Sequence, residues 1–173
     1  MLTLAENALH GLMPMTDPLA IYLNDHLAGA TAGLELFRRT TTGAPPRHRE
    51  VLERLTREVE GDRAALIDIM MLLDVPVRHY KVVAGWLGEK VGRFKPNGRL
   101  VGRSPLSSLL EVEALVLGVR GKAAGWQALR VVAEHDSRLS LAQLDELLAR
   151  ADRQHEELER IRQDIAAEIF TAH

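Results

Sequence analysis

Glu60-Gly61-Asp62-Arg63 recurs in degraded form as Asp152-Arg153-Gln154-His155, at the matching position of a second long helical segment. Both tetrapeptides approach the pattern Glu-x-x-His. Residues three apart lie on the same face of a helix, so this pattern presents a carboxylate and an imidazole side by side, as ligands for a metal ion. Only the second tetrapeptide keeps the histidine, and Arg63 replaces it in the first. We interpret the pair as degenerate copies of one metal-ligand motif.

Four long helices are predicted around these motifs, because apolar residues recur with helical spacing and almost no strand pattern is present. The helices are expected from Pro18 to about Thr40, from near Arg47 to Asp74, from just after Pro105 to about Glu134, and from near Ser140 almost to the C-terminus. Asp17 is a capping residue before the first helix, and Pro45-Pro46 and Val75-Pro76 interrupt the pattern. The sequence therefore predicts an all-α protein.

The same spacing predicts which positions face the interior. The expected inward stripes are Leu19, Leu23, His26, Ala30, Gly33 and Phe37 in the first helix, Leu52, Leu55, Val59, Asp62, Leu66, Ile69 and Leu73 in the second, and Leu144, Leu148, Ala151, His155, Leu158, Ile165 and Ile169 in the fourth. One carboxylate, Asp62, and two histidines, His26 and His155, thus fall on stripes that are otherwise apolar or small.

An internal repeat relates the two halves of the chain. Residues 29–38 align with residues 121–130 and share two glycines, and the leucines of the second helix align with those of the fourth. Each half is then a helix hairpin. Glycine inside a helix costs about 1 kcal/mol relative to alanine, so glycines at the same spacing in both segments favour a close approach of backbones. We therefore predict close contact between the first and third helices.

The paired motifs and the two hairpins resemble the ferritin-like superfamily. This resemblance implies a four-helix bundle of two pseudo-repeated hairpins, joined by a long crossover between the second and third helices. It also implies metal ligands, since helices two and four of that superfamily each supply Glu-x-x-His and helices one and three each supply a carboxylate. The positions that match are Glu60, Asp152 and His155 for the motifs, Glu113 or less favourably Glu111 for the third helix, and Asp25 or His26 for the first.

Arg63 argues against a complete di-iron site. A guanidinium stays protonated and offers no lone pair, so it cannot replace imidazole as a ligand. We expect Asp62 and Arg63 to belong instead to a buried ion-pair cluster with neighbouring acids. The alternative is a mononuclear or reduced iron or manganese site, whose candidate ligands are His26, Glu60, Glu113, Asp152 and His155.

The predicted crossover, residues 75–104, is strongly basic. It contains seven arginines and lysines against the single acid Glu89. Within it, Tyr80, Val83, Trp86, Leu87 and Val91 have the spacing of a short amphipathic helix. The segment either covers the bundle or, at residues 78–103, binds an anionic partner. Nucleic acid is disfavoured, because no recognised nucleic-acid motif accompanies the charges.

Composition and motif content exclude several other classes of protein. The 173 residues suit one domain at 17–173 after an N-terminal extension at 1–16, and the absence of cysteine excludes disulfides and thiolate sites. No apolar run is long enough for a membrane span and no secretory signal is present, which predicts a cytoplasmic protein. The excess of arginine over lysine favours a bacterial source. No phosphate-binding loop or nucleophile elbow is found, so no catalytic residue or organic cofactor is assigned.

Two functions remain. The preferred one is a non-catalytic interaction or self-assembling protein, forming a homo-oligomer such as a dimer, with an ion-pair cluster at its centre. The alternative is a divergent iron- or manganese-binding protein of stress protection, or an oxidoreductase, with a reduced metal site.

Overall fold

A computed structural model describes residues 17–78 and 105–171, and these residues form four α-helices without a strand. The helices are α1 (Pro18–Thr42), α2 (Pro46–Leu72), α3 (Pro105–Ala133) and α4 (Leu141–Thr171). The predicted all-α class is confirmed. The N-terminal extension at 1–16, and the basic crossover beyond residue 78 with its predicted short helix, lie outside the described residues. In the part of the chain that is described, no helix is long and apolar enough to cross a membrane.

Local sequence explains where the first helices begin and end. The side chain of Asp17 accepts a hydrogen bond from the backbone N–H of Leu19 at 3.0 Å, which caps α1. Prolines occupy the first positions of α1 and α2, where no backbone N–H is needed. After α2, Asp74 adopts a φ of 57°, and the N–H of Val75 bonds to the carbonyl of Met70 at 2.9 Å. This left-handed residue ends α2.

Consecutive helices form two antiparallel hairpins. Arg38, near the end of α1, pairs with Glu60 of α2 at 2.8 Å. Near the start of α1, Asn24 donates to the carbonyl of Pro76 beyond the end of α2 at 3.1 Å. In the second hairpin, Arg130 near the end of α3 donates to Asp145 near the start of α4 at 2.7 Å.

The two hairpins pack side by side through α1 with α3 and α2 with α4. Among the described residues, α1 makes no close backbone contact with α4, and α2 makes none with α3. Thr40 of α1 donates to Glu111 of α3 at 3.5 Å, whereas His26 lies against Gly125, so these helices are antiparallel. It follows that α2 and α3 run in the same direction. The end of α2 and the start of α3 therefore lie at opposite ends of the bundle.

The predicted seam of α2 is confirmed at every position: Leu52, Leu55, Val59, Asp62, Leu66, Ile69 and Leu73 are all buried. In α4 the buried stripe instead contains Leu147, Gln154 and Ile161 between the expected Leu144, Ala151, Leu158 and Ile165. His155 and Leu148 are only partly buried. The prediction for α4 was therefore wrong by one residue at its centre, where the helical phase places Gln154 inside.

Contact between α1 and α3 is also confirmed, but the expected role of the glycines was largely wrong. A Cβ atom added to Gly125 would lie 2.8 Å from Nδ1 of His26, so this glycine makes room for a neighbouring ring. A Cβ at Gly29, Gly33 or Gly121 would meet no atom within 4 Å. Three of the four repeat glycines therefore border open space.

This difference predicts opposite effects of alanine at two of these glycines. Gly33→Ala is expected to raise the free energy of unfolding by up to about 1 kcal/mol, because alanine favours a helix and meets no neighbour. Gly125→Ala should be less stable than Gly33→Ala by about 1 to 3 kcal/mol, because the added methyl group displaces the half-buried His26 ring. Urea unfolding measures both, with Gly61→Ala in the exposed face of α2 as control. Equal gains at all three glycines would contradict this account.

Candidate functional site

Asp62 is the centre of the polar interior. Its carboxylate, on α2, is 1% exposed. It accepts hydrogen bonds from Lys122 of α3, from Arg150 of α4 at 2.9 Å and from Gln154 Nε2 of α4 at 3.1 Å. The helices α2, α3 and α4 therefore meet at one buried carboxylate. Asp62 needs these partners because an unpaired charge in the interior costs several kcal/mol.

Gln154, which is fully buried, completes this network. Its Oε1 accepts from Nζ of Lys122, and its Nε2 donates to Asp62 and to Glu58 Oε2, each at 3.1 Å. An ammonium group can only donate, so the oxygen of the amide has to face Lys122. Both amide hydrogens and the amide oxygen are then used. We call Glu58, Asp62, Lys122, Arg150 and Gln154 the buried network.

The charges of the buried network balance, with two carboxylates against one ammonium and one guanidinium. Burial lowers the pKa of the Lys122 ammonium, while the charge of Asp62 and its hydrogen bond oppose this shift. Towards solvent, Glu58 also pairs with Arg54 at 3.1 Å, and Arg54 contacts Glu157 of α4. The network thus extends from the interior to the surface between α2 and α4.

The candidate metal ligands are not brought together. Among residues 17–78 and 105–171, no group of three or more histidines and acids is placed to hold a metal ion. Glu60 is exposed and pairs with Arg38, whereas Asp152 pairs with Arg120 at 3.4 Å. The reason is helical phase. The seam of α2 passes through Val59 and Asp62, so Glu60 points away from the bundle centre, and in α4 the buried Ala151 and Gln154 leave Asp152 outside.

The other candidates are equally dispersed. Glu113 is part-exposed and lies 3.9 Å from Arg162 of α4. Glu111 accepts from Thr40 and pairs with Arg39, and Asp25 is exposed. His155 is partly buried on α4, beside the buried stripe. Arg63, expected beside Asp62 in an ion-pair cluster, instead donates through Nε to the hydroxyl of Thr31 on α1 at 3.0 Å.

His26 lies on the α1 side of the interior. Its ring is 4.4 Å from that of Tyr22, between centroids, and covers Gly125 of α3. Burial lowers the pKa of His26, and the nearby charge of Asp25 offsets only part of this shift. Burial therefore favours the neutral form of the imidazole.

Sequence reasoning missed four members of the buried network: Glu58, Lys122, Arg150 and Gln154. One signal was available for Lys122, which is the only lysine in any of the four helices of this arginine-rich chain. It is flanked by small residues, Gly121 and Ala123, so its long side chain can cross towards α2 and α4. Periodicity does not show this, because the side chain reaches the interior from a position at its edge.

A cavity of about 530 Å³ lies beside the buried network, chiefly between α1 and α3. Its walls are largely apolar and include Leu23, Phe37, Leu115 and Trp126. Ala30 and three of the repeat glycines, Gly29, Gly33 and Gly121, border the cavity, and Lys122 and Asp62 also form part of its boundary. The arrangement combines a charge-balanced interior with an apolar chamber.

These features define an all-α four-helix bundle with a polar centre. Comparison of the chain with known protein families, curated proteins and solved structures gives no match.

The buried network predicts unequal effects for its two central charges. Asp62→Asn should lower the free energy of unfolding by about 3 to 5 kcal/mol, because Lys122 and Arg150 lose their shared carboxylate in the interior. Lys122→Met should cost at least about 1 kcal/mol less, because Asp62 keeps Arg150 and Gln154 as donors and methionine is apolar. Urea unfolding at pH 7 measures the difference. The exposed pair residue gives the control: Asp152→Asn should change stability by less than about 0.5 kcal/mol. A larger loss for Lys122→Met than for Asp62→Asn would refute this ranking.

Proposed function

We propose that this protein is a ferritin-like bundle without a complete di-iron site, and that it acts by binding, as a non-catalytic interaction or self-assembling protein. The observation that carries the proposal is the position of the Lys122 ammonium, which donates to both Asp62 and Gln154 where α2, α3 and α4 meet. A fixed cation there supplies the charge balance that metal ions supply in a di-iron bundle.

The helix arrangement supports a ferritin-like origin. Two antiparallel hairpins with α2 and α3 parallel is the order expected when a long crossover joins the halves. The offset that aligns Leu52 with Leu144 also aligns Glu58 with Arg150 and Asp62 with Gln154. These positions bond across the bundle, since Gln154 donates to Glu58 and Arg150 donates to Asp62. Such reciprocal contacts are what a duplicated hairpin predicts.

The chemistry of the interior favours this role over the metal-binding alternative. The carboxylates of the buried Asp62 and the part-buried Glu58 already have cationic partners. A divalent cation at Asp62 would lie beside Lys122 and Arg150, which would repel it. Imidazole nitrogen is missing at this point, because His155 lies beside the buried stripe and the ring of His26 packs against Tyr22 and Gly125. An iron- or manganese-dependent activity would need a different set of ligands.

Metal analysis of the purified protein tests whether it lacks an iron or manganese site. Protein produced without a histidine tag in cells supplied with iron and manganese is expected to contain either metal only far below one ion per chain. His155→Ala should not change that content, and neither should the control His135→Ala at an exposed position. Stoichiometric metal that disappears in His155→Ala but not in His135→Ala would overturn the proposal in favour of a metal-binding protein.

Self-association is the second part of the proposal. Large apolar side chains are exposed at the end of the bundle where α1 and α4 begin and α2 and α3 end, namely Ile21, Met71, Leu72, Val131 and Leu141. Apolar surface of this kind is typical of contacts between protein chains. Met71 and Leu72 lie in the last turn of α2, and each is more than half exposed. Both side chains are therefore accessible to a second copy of the chain.

Sedimentation velocity measures this property. The protein is expected to sediment as a dimer, with about twice the chain mass of 19.2 kDa. The double variant Met71→Lys, Leu72→Lys should shift it to a monomer, because lysine cannot be buried cheaply in a contact. Leu117→Lys, which replaces an exposed leucine in the middle of α3, is the matched control and should leave the dimer intact. A monomeric native protein would exclude the self-assembling form of the proposal.

A further inference from the structure

The chain that leaves α2 is held against α1. Asn24 of α1 is buried, and its side chain bonds to two residues beyond the end of α2. Its Nδ2 donates to the carbonyl of Pro76 at 3.1 Å, and its Oδ1 accepts from the backbone N–H of Arg78 at 2.7 Å. These two bonds fix the side of the bundle on which the connection to α3 begins.

The connection from α2 to α3 has to pass either α1 or α4, because α2 and α3 lie at diagonal corners of the bundle. The bonds of Asn24 place its beginning on α1. Its end is at Pro105, the first residue of α3. The start of α3 lies where α1 ends, since Thr40 donates to Glu111. The connection therefore has to pass from the start of α1 to the start of α3, along the groove between these two helices.

Residues 79–104 are long enough for this route. At 1.5 Å per residue, α1 rises about 24 Å from Asn24 to Thr40, and Glu111 lies about 9 Å from the start of α3. As one continuous helix, residues 79–104 would span about 39 Å, and an extended chain would span more. This reach exceeds the sum of the two distances.

The cavity between α1 and α3 is a groove that is open to solvent. Its volume is about 530 Å³, and it is bordered by exposed glycines, Gly29 of α1 and Gly118 and Gly121 of α3. A Cβ atom on any of these three would meet no atom within 4 Å. The deeper walls are apolar and include Phe37 and Leu115. Exposed apolar surface marks an interaction site, and glycines on both walls admit the backbone of a further segment.

Residues 79–104 contain the apolar side chains that such a groove can accept. The side chains with the spacing of an amphipathic helix are Tyr80, Val83, Trp86, Leu87 and Val91. Burial of a valine or leucine side chain contributes roughly 1.5 to 3 kcal/mol. Tyrosine and tryptophan are larger, and each buries about 150 to 250 Å². The groove offers this burial next to the route that the connection has to take.

Charge favours the same occupant. Residues 79–104 contain six arginines and lysines against the single acid Glu89, whereas the described residues contain 22 acids against 16 arginines and lysines. Two charged residues border the groove without an ion pair in the described part of the chain, namely Asp25 and Arg63. Arg63 donates to Thr31, whereas Asp25 is exposed. A basic segment beside Asp25 supplies the opposite charge that this carboxylate lacks.

We propose that residues 79–104 dock in the groove between α1 and α3 of the same chain, with their apolar side chains in the groove and their basic residues towards Asp25 and solvent. The groove is thereby assigned to a segment of this chain, and not to a small molecule or a second copy. The face formed by α1 and α3 then presents the basic charge of the protein. This contact is independent of the metal content and the self-association proposed above.

Fluorescence of Trp86 tests the docking in the full chain. Trp126→Phe leaves Trp86 as the only tryptophan, and it removes an indole N–H that has no partner among the described residues. Trp86 is expected to emit at a shorter wavelength, and to be quenched less by acrylamide, than in the same protein unfolded in urea. Emission and quenching equal to those of the unfolded protein would overturn the proposal.

Two substitutions in this background fill the groove from its opposite walls. Gly118→Leu and Gly29→Leu should each shift the emission of Trp86 to longer wavelength and increase acrylamide quenching several-fold, because leucine takes the volume that the segment needs. Gly61→Leu makes the same change on the exposed face of α2, outside the groove, and should leave Trp86 unchanged. Circular dichroism checks that the variants are folded, as expected because leucine favours a helix more than glycine does. Unchanged fluorescence of Trp86 in either folded groove variant would contradict the docking.

Cross-linking distinguishes the same chain from a second copy. The chain has no cysteine, so Gly121→Cys combined with Val83→Cys introduces one reactive pair. A short bismaleimide is expected to join the two cysteines within one chain, as measured by denaturing electrophoresis and the intact mass, and to do so much less with Gly61→Cys and Val83→Cys. Links mainly between two chains would assign the groove to a second copy. Saturable binding of Nile red that Gly118→Leu abolishes would assign it to a small molecule, and either result would overturn the proposal.

Discussion

Charge compensation at Asp62 is the constraint on which the arrangement of the helices depends. Apolar side chains of similar size are interchangeable in a helix seam, so leucine packing alone tolerates several alignments of one helix on another. A buried carboxylate is less permissive. It needs Lys122 from α3 and both Arg150 and Gln154 from α4, and a shift of either helix by one turn would leave a charge without its partner. We infer that this network sets the alignment of α2, α3 and α4.

Much of the fold was predictable because burial follows helical phase. The seam of α2 was identified at every position, including Asp62, from the spacing of its apolar residues. The centre of α4 was misassigned because Gln154 and His155 are neighbours between Ala151 and Leu158, and the coordinating chemistry of histidine favoured the wrong one. Glu60 and Asp152 were likewise expected near the bundle centre because they match the motif, whereas helical phase places both on the outside. A motif gives the spacing between its own residues, but only the surrounding apolar residues show which way that face points.

The other residues of the site could not be predicted from helical period, because their partners are set by how the helices pack. Lys122 and Arg150 have long side chains, and the partners of such side chains are not determined by helical period. Glycine is ambiguous in another way. Gly33 and Gly125 occupy equivalent positions in the repeat, yet one borders empty volume and the other accommodates the ring of His26. Sequence shows that a side chain is missing, whereas the use made of the space depends on what the opposite helix places there.

The contacts of the bundle also differ in how far apart their partners lie along the chain. Arg38 and Glu60 are 22 residues apart and Arg130 and Asp145 only 15, whereas Asp62 and Arg150 are 88 apart. Closing a longer loop costs more entropy, which favours formation of each hairpin before the two dock. Until docking, Asp62 remains hydrated on the face of α2, so a hairpin that meets the wrong surface must dehydrate that charge without compensation. The carboxylate that holds the finished bundle together thereby also discriminates against incorrect association of its halves during folding.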